Sequence, residues 1–290
     1  MVMRYNKLYL SLRRMICFVL AFLLSLLIVG IVFLNTLSLN NTNGNIINQV
    51  LTSSDYCNIL YQEIEGNAKL LTISTGLPME VLEGVFQSEE VQAEVVSNIE
   101  ATFLSRKYSP NTQIIRERLE QKIETYLNEK NIRVDTEISQ NIDEYTALVT
   151  DEYSKSLDLP LIERIDGMKL DYRVFFRLII GLCVVIGLLI ISLYDKEKQW
   201  YQQLLYYFYN STFTAAIMLA VLPLILLSKQ LYNSLPITPS SLYRFTIEYI
   251  KVNLWTLIRF SILLGVLSII LLLIGRVFGI KLMKYKRQIN

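Results

Sequence analysis

The stretch MICFVLAFLLSLLIVGIVFL, residues 15–34, runs for twenty positions without a charged side chain. A helix rises about 1.5 Å per residue, so such a run matches the roughly 30 Å hydrocarbon core of a bilayer. Arg4, Lys7, Arg13 and Arg14 precede it. Secretory signals share that order, but the run exceeds the roughly 7–15 residues of a signal-peptide core. No A-x-A-like cleavage site follows, Thr36-Leu37-Ser38 being the nearest sequence. The segment reads as an uncleaved signal anchor.

Three further apolar runs follow, from Val174 to Tyr194, from about Tyr206 to Leu227 and from about Leu254 to Ile274. Each is long enough to cross a bilayer and carries almost no charge. Basic residues near the span ends set the orientation. The first four lie before span one, Lys196 and Lys198 lie between spans two and three, and Arg276, Lys281, Lys284, Lys286 and Arg287 follow span four. All fall on one side in short segments, where the positive-inside rule applies best, so both termini are expected in the cytoplasm. Trp200, Tyr201, Tyr206, Tyr207 and Tyr209 at the start of span three, and Trp255 at the start of span four, suit interfacial belts.

The expected fold class is an all-α membrane protein with four transmembrane helices and a helical-bundle extracytoplasmic domain between spans one and two. The expected divisions are 1–37, the N-terminus and first span; 38–171, the extracytoplasmic domain; 172–280, spans two to four with an outer amphipathic loop at 228–253; and 281–290, a basic tail. Charge follows these divisions. Residues 38–171 hold 23 Asp/Glu against 11 Lys/Arg, a net of −12, and the rest hold 3 against 17, a net of +14. The basic remainder flanks apolar spans, where anionic lipid headgroups are the expected partners, and it gives no reason to expect nucleic acid.

Within the acidic stretch, Asn40 to Asn45 read as a short spacer with turn chemistry. Ser53 or Ser54 then caps a helix with Tyr56, Ile59, Leu60, Ile64 and Ala68 on one face. A short helix after Pro78 carries Met79, Leu82, Val85 and Phe86. Ser88 caps a third, with Val91, Val95, Ile99 and Phe103 at four-residue steps. Ser109-Pro110 opens a fourth, with Ile115, Leu119, Ile123 and Leu127. Asp135 or Thr136 starts a fifth, through Ile138, Ile142, Tyr145, Val149 and Tyr153. Pro160 breaks the chain before a short segment around Ile162 leads into span two. Each helix carries one narrow apolar stripe and must pack on its neighbours or on a partner.

The absence of histidine removes His-based acid–base chemistry, His-activated nucleophiles and most zinc sites. Cys17 and Cys183 fall in apolar runs, leaving Cys57 alone in the acidic stretch with no disulfide partner there. Glu89-Glu90, Asp143-Glu144 and Asp151-Glu152 are acidic pairs, but none has calcium-loop spacing. No cofactor or metal is called for, and no catalytic constellation is visible.

Ionisable residues inside spans are costly and often functional. The spans hold no acidic residue, but Arg177 and Arg259 lie near the outer starts of spans two and four. Snorkelling to headgroups accounts for each, and a sharper reading makes them converge on one anionic group. Pro223 is expected to kink span three. Gly275 and Gly279 form a G-x-x-x-G around Arg276, a weak pointer to a homo-oligomer. In the 228–253 loop, Leu242, Phe245 and Tyr249 form an apolar face offered to a partner or to the acidic domain.

The layout resembles four-span membrane proteins of low-GC Gram-positive bacteria. The segments Asp55-Tyr56-Cys57-Asn58-Ile59-Leu60 and Pro78-Met79-Glu80-Val81-Leu82-Glu83-Gly84-Val85 carry the resemblance, with the abundant Tyr, Ile and Asn. It covers the architecture of most of the chain and implies no activity. Two function classes follow. The first is a non-catalytic cell-envelope protein, accessory, sensory or scaffolding, whose outer domain engages a protein partner. The alternative is a transport or channel component with an anionic-lipid or ion path near Arg177 and Arg259. Enzymatic activity is not expected.

Overall fold

The computed structural model describes the backbone of residues 2–42, 44–103, 106, 108–158, 169–194 and 200–289, with side chains over 12–36, 46–101, 106, 108–158, 174–193 and 203–277. The described residues are all-helical, with nine α-helices and no strand. In chain order these are α1 (Val2–Thr42), α2 (Gly44–Ser53), α3 (Tyr56–Thr75), α4 (Ser88–Phe103), α5 (Gln113–Glu129), α6 (Thr136–Ser156), α7 (Lys169–Tyr194), α8 (Trp200–Lys229) and α9 (Ser240–Ile289). Two 3-10 turns, Met79–Leu82 and Leu231–Ser234, interrupt the connections.

The chain divides into two units. The apolar unit comprises Met1–Asn40, Lys169–Ser234 and Ile250–Asn290; the acidic unit comprises Asn41–Met168 and Leu235–Tyr249. Four helical stretches are long and apolar enough to cross a membrane: Leu12–Thr36, Val174–Leu193, Gln203–Lys229 and Ser240–Val277. The third is the most enclosed, with 33% of its apolar stretch buried against 11% for the second. Its helix, α8, reaches two clusters. Cys17, Ala21 and Leu24 meet Ile186, Ile190 and Tyr207 in one, and Val32, Leu219 and Leu257 meet in the other. Two hydroxyls make polar contacts between these helices. Ser211 donates to the Ala21 carbonyl, and Ser261 donates to the Ala216 carbonyl at 2.8 Å. With lipid as apolar as leucine, close packing of small residues and such bonds hold membrane helices together. Helix α8 continues through Pro223.

The acidic unit is built on the four-residue stripes. Tyr56, Leu60, Ile64, Ala68 and Thr72 of α3 are buried, as are Val91, Val95 and Ile99 of α4 and Ile115, Leu119, Ile123 and Leu127 of α5. Tyr145, Val149 and Tyr153 are buried on α6, whereas Ile138 and Ile142 are only half-buried, because the first two turns of α6 run beyond the core. The Phe103 side chain, Pro160 and the segment around Ile162 lie outside the described residues.

Several local expectations are corrected. The tract expected as a spacer is helical from Asn40 to Thr42, and helix resumes at Gly44. Extending an existing helix through asparagine costs only about 0.7 kcal/mol per residue, far less than nucleating a new one. Ser53 and Ser54 donate backward to the Val50 and Leu51 carbonyls, and Asp55 precedes α3 instead. The segment after Pro78 forms a single 3-10 turn. Ser88 is the first residue of α4, and its hydroxyl donates to Asn58 Oδ1 at 3.2 Å rather than capping. Asp135 does cap α6, accepting from the Ile138 amide at 2.8 Å.

Candidate functional site

Leu235–Tyr249 belong to the acidic unit although α9 continues as one helix to Ile289. The anchor is Glu63 of α3. Its Oε1 accepts from the Ser240 hydroxyl at 2.6 Å and the Ser241 amide at 3.1 Å, and its Oε2 accepts from the Ser241 hydroxyl. The first amides of a helix have no partner within it and favour negative charge, so one carboxylate satisfies an orphan amide and two hydroxyls together. Beside it, the Phe245 ring meets the Tyr56 ring edge-on with centroids 5.7 Å apart and stacks on Tyr249 at 6.2 Å.

Of the face expected to meet a partner or the acidic domain, Phe245 is 6% exposed and enclosed by the acidic unit, while Leu242 and Tyr249 are half-buried. Replacing Glu63 with alanine should loosen the first turn of α9 by about 1 kcal/mol, the usual cost of losing a cap. Hydrogen exchange of the Leu242 to Arg244 amides should speed up roughly fivefold. Unchanged exchange would show that the carboxylate holds nothing.

A second polar cluster joins α4, α5 and α6. Arg118 makes a forked pair with Glu90, its two terminal nitrogens 2.7 and 2.6 Å from the carboxylate oxygens, and donates to the Val85 carbonyl at 3.3 Å. The hydrogen bond from Arg118 holds the Glu90 carboxyl below the usual range. Tyr108 donates to Glu94, and Phe86 stacks on Tyr153 with centroids 5.9 Å apart. Burial first, then the Glu94 and Glu90 carboxylates, push Tyr153 up to about 12 against the opposing pull of Arg118. Burial raises Tyr56, Tyr108 and Tyr145 as well.

The sign of the pH dependence follows. These phenols hold their protons more tightly when folded, so their contribution is complete below the ordinary value of 10 and is lost as pH climbs through their raised values, about 12 for Tyr153. Glu90 acts in the opposite window: its contribution is present above the ordinary value of 4.5 and declines as pH falls below it. Phenolate absorbance of the full chain should therefore show tyrosines that ionise late and together with loss of helix. Independent titration of every tyrosine near its ordinary value would contradict this.

Four carboxylates of the three acidic pairs are engaged within the unit. Glu90 is held by Arg118, Glu144 accepts from Gln140 at 3.0 Å, Asp151 pairs with Lys155 at 2.6 Å, and Glu152 accepts from Asn67 at 2.8 Å. Among the described residues no group of three or more metal-ligating side chains occurs. Arg177 and Arg259 are exposed on α7 and α9, and neither joins an ion pair among the described residues. The three cysteines are unbonded; burial, with Asp55 second, pushes the Cys57 thiol up.

Glu63 and Arg118 were not legible as site residues. Ser240 and Ser241 have the chemistry of a helix start, but nothing local points to an acceptor 177 positions earlier. No protein-family model, curated protein or solved structure matches the chain.

Proposed function

We propose that the protein is a non-catalytic membrane subunit of the cell envelope, accessory, sensory or scaffolding, whose acidic unit lies outside the cytoplasm and engages a protein partner. In this reading both termini are cytoplasmic, as the basic residues at the span ends favour. Exposed arginines at Arg177 and Arg259 then contact anionic lipid headgroups.

One observation carries the partner reading. The acidic unit has a complete core, yet Leu70 and Ile73 of α3 and Leu148 of α6 are 68%, 62% and 54% exposed. Large exposed apolar side chains on a polar unit suit an interface. The test is purification from native membranes in mild detergent. A stoichiometric partner that is lost on combining Leu70→Glu with Ile73→Glu supports the reading. Ion or lipid flux by the purified protein alone in liposomes, with no partner retained, would overturn it in favour of a transport role.

A further inference from the structure

A cleft of about 380 Å³ opens within the acidic unit, between α2, the start of α3 and α4. That volume lies at the small end of ligand pockets. Leu51 and Val96 supply apolar surface, Asn48 and Gln92 supply amides, and Cys57 a thiol. Among the described residues, Asp55 is its one charged lining residue.

Asp55 stands where a helix cap is expected but does not cap. Its backbone is left-handed, with φ 55°, and its side chain makes no bond to the first amides of α3. Aspartate tolerates this conformation better than most residues. Asn58 Nδ2 donates to Asp55 Oδ1 at 2.6 Å, while Asn58 Oδ1 accepts from Ser88. Asn58 is thus fixed from α4 and in turn orients the carboxylate. A carboxylate has about four acceptor positions, so one such bond leaves most of its capacity at the cleft. Among the described residues no lysine or arginine pairs with it.

From this geometry we propose that the cleft binds an alkylammonium or guanidinium group, its alkyl stem on Leu51 and Val96 and its cationic head on Asp55. An anion would meet the carboxylate, and the surplus of acidic residues in 38–171 attracts cations to this unit. A metal ion would need several hard ligands, and the described residues place no such group here. The inference rests on the partner-binding reading and gives it a chemistry: a free organic amine, or a lysine or arginine side chain of the partner.

The test uses the full chain in nanodiscs of zwitterionic lipid, titrated calorimetrically with the alkyl diamine cadaverine and, separately, with a short lysine-containing peptide. Saturable binding is expected, weakened roughly tenfold by Asp55→Asn, which keeps an oxygen for Asn58 and accepts the left-handed backbone. Val96→Phe should weaken binding similarly by filling the cleft without changing charge. Asp151→Asn, which removes an equal charge elsewhere, should leave it unchanged. Tighter binding of the peptide assigns the site to a partner side chain, and tighter binding of cadaverine assigns it to a free amine. Absence of saturable binding, or equal effects of Asp55→Asn and Asp151→Asn, would overturn the proposal. If neither cadaverine nor the peptide binds while a native partner still co-purifies, this proposal fails and partner binding itself stands.

Discussion

Replacing Leu119 with alanine is expected to destabilise the acidic unit by about 3 kcal/mol. Leu119 is fully buried at the centre of the α5 stripe, with Ile115 before it and Ile123 and Leu127 after it, all at most 6% exposed. Removing three side-chain carbons forfeits their transfer free energy and leaves a cavity that rigid helices close only in part. Pulse proteolysis of the full chain in detergent across a urea series reads the shift, because cleavage within α5 and α6 reports unfolding of this unit. The result also separates two meanings of the stripe. A stripe reserved for a partner would tolerate alanine with little change in stability and lose only binding. Its burial in the isolated chain makes it core.

Tyr153→Ala should cost about as much or more, roughly 4 kcal/mol. The ring is 2% exposed and lies nearly parallel to Phe86, with an interplanar angle of 19°. Such a pair contributes about 1 kcal/mol beyond the area it buries. Phe86 is itself 4% exposed, so truncation opens a void beside it that water enters only at a polar cost. Tyr153→Phe keeps the ring and should lose less than about 1 kcal/mol. The same proteolysis measures both variants. Equal, small losses for alanine and phenylalanine would mean that the ring contact contributes nothing.

The fold was legible wherever one physical signal dominated. Four apolar runs of spanning length suit a bilayer, and the four-residue steps of α3, α4 and α5 call for a buried face, so both levels follow from hydropathy alone. Legibility ended where another acceptor, or the backbone conformation, overrides a local preference. Ser53, Ser54 and Ser88 have the chemistry of caps, but each hydroxyl finds another acceptor. Asp55 forgoes the cap that its type favours, because its left-handed backbone carries the carboxylate away from the first amides of α3. The aromatic face of the 228–253 loop was visible as a pattern. That Tyr56 would meet Phe245, and Glu63 the two serines, depends on the packing of α3, which no local window contains.

The placement of the acidic unit outside the cytoplasm is the central claim, and cysteine accessibility tests it most directly. Single cysteines are introduced as Lys130→Cys, in the exposed turn after α5, and Lys198→Cys, between α7 and α8, in a chain lacking its three native cysteines. Intact protoplasts are treated with a membrane-impermeant maleimide before and after lysis. The account predicts that position 130 is labelled in intact cells and position 198 only after lysis; labelling of 198 but not 130 in intact cells would contradict it.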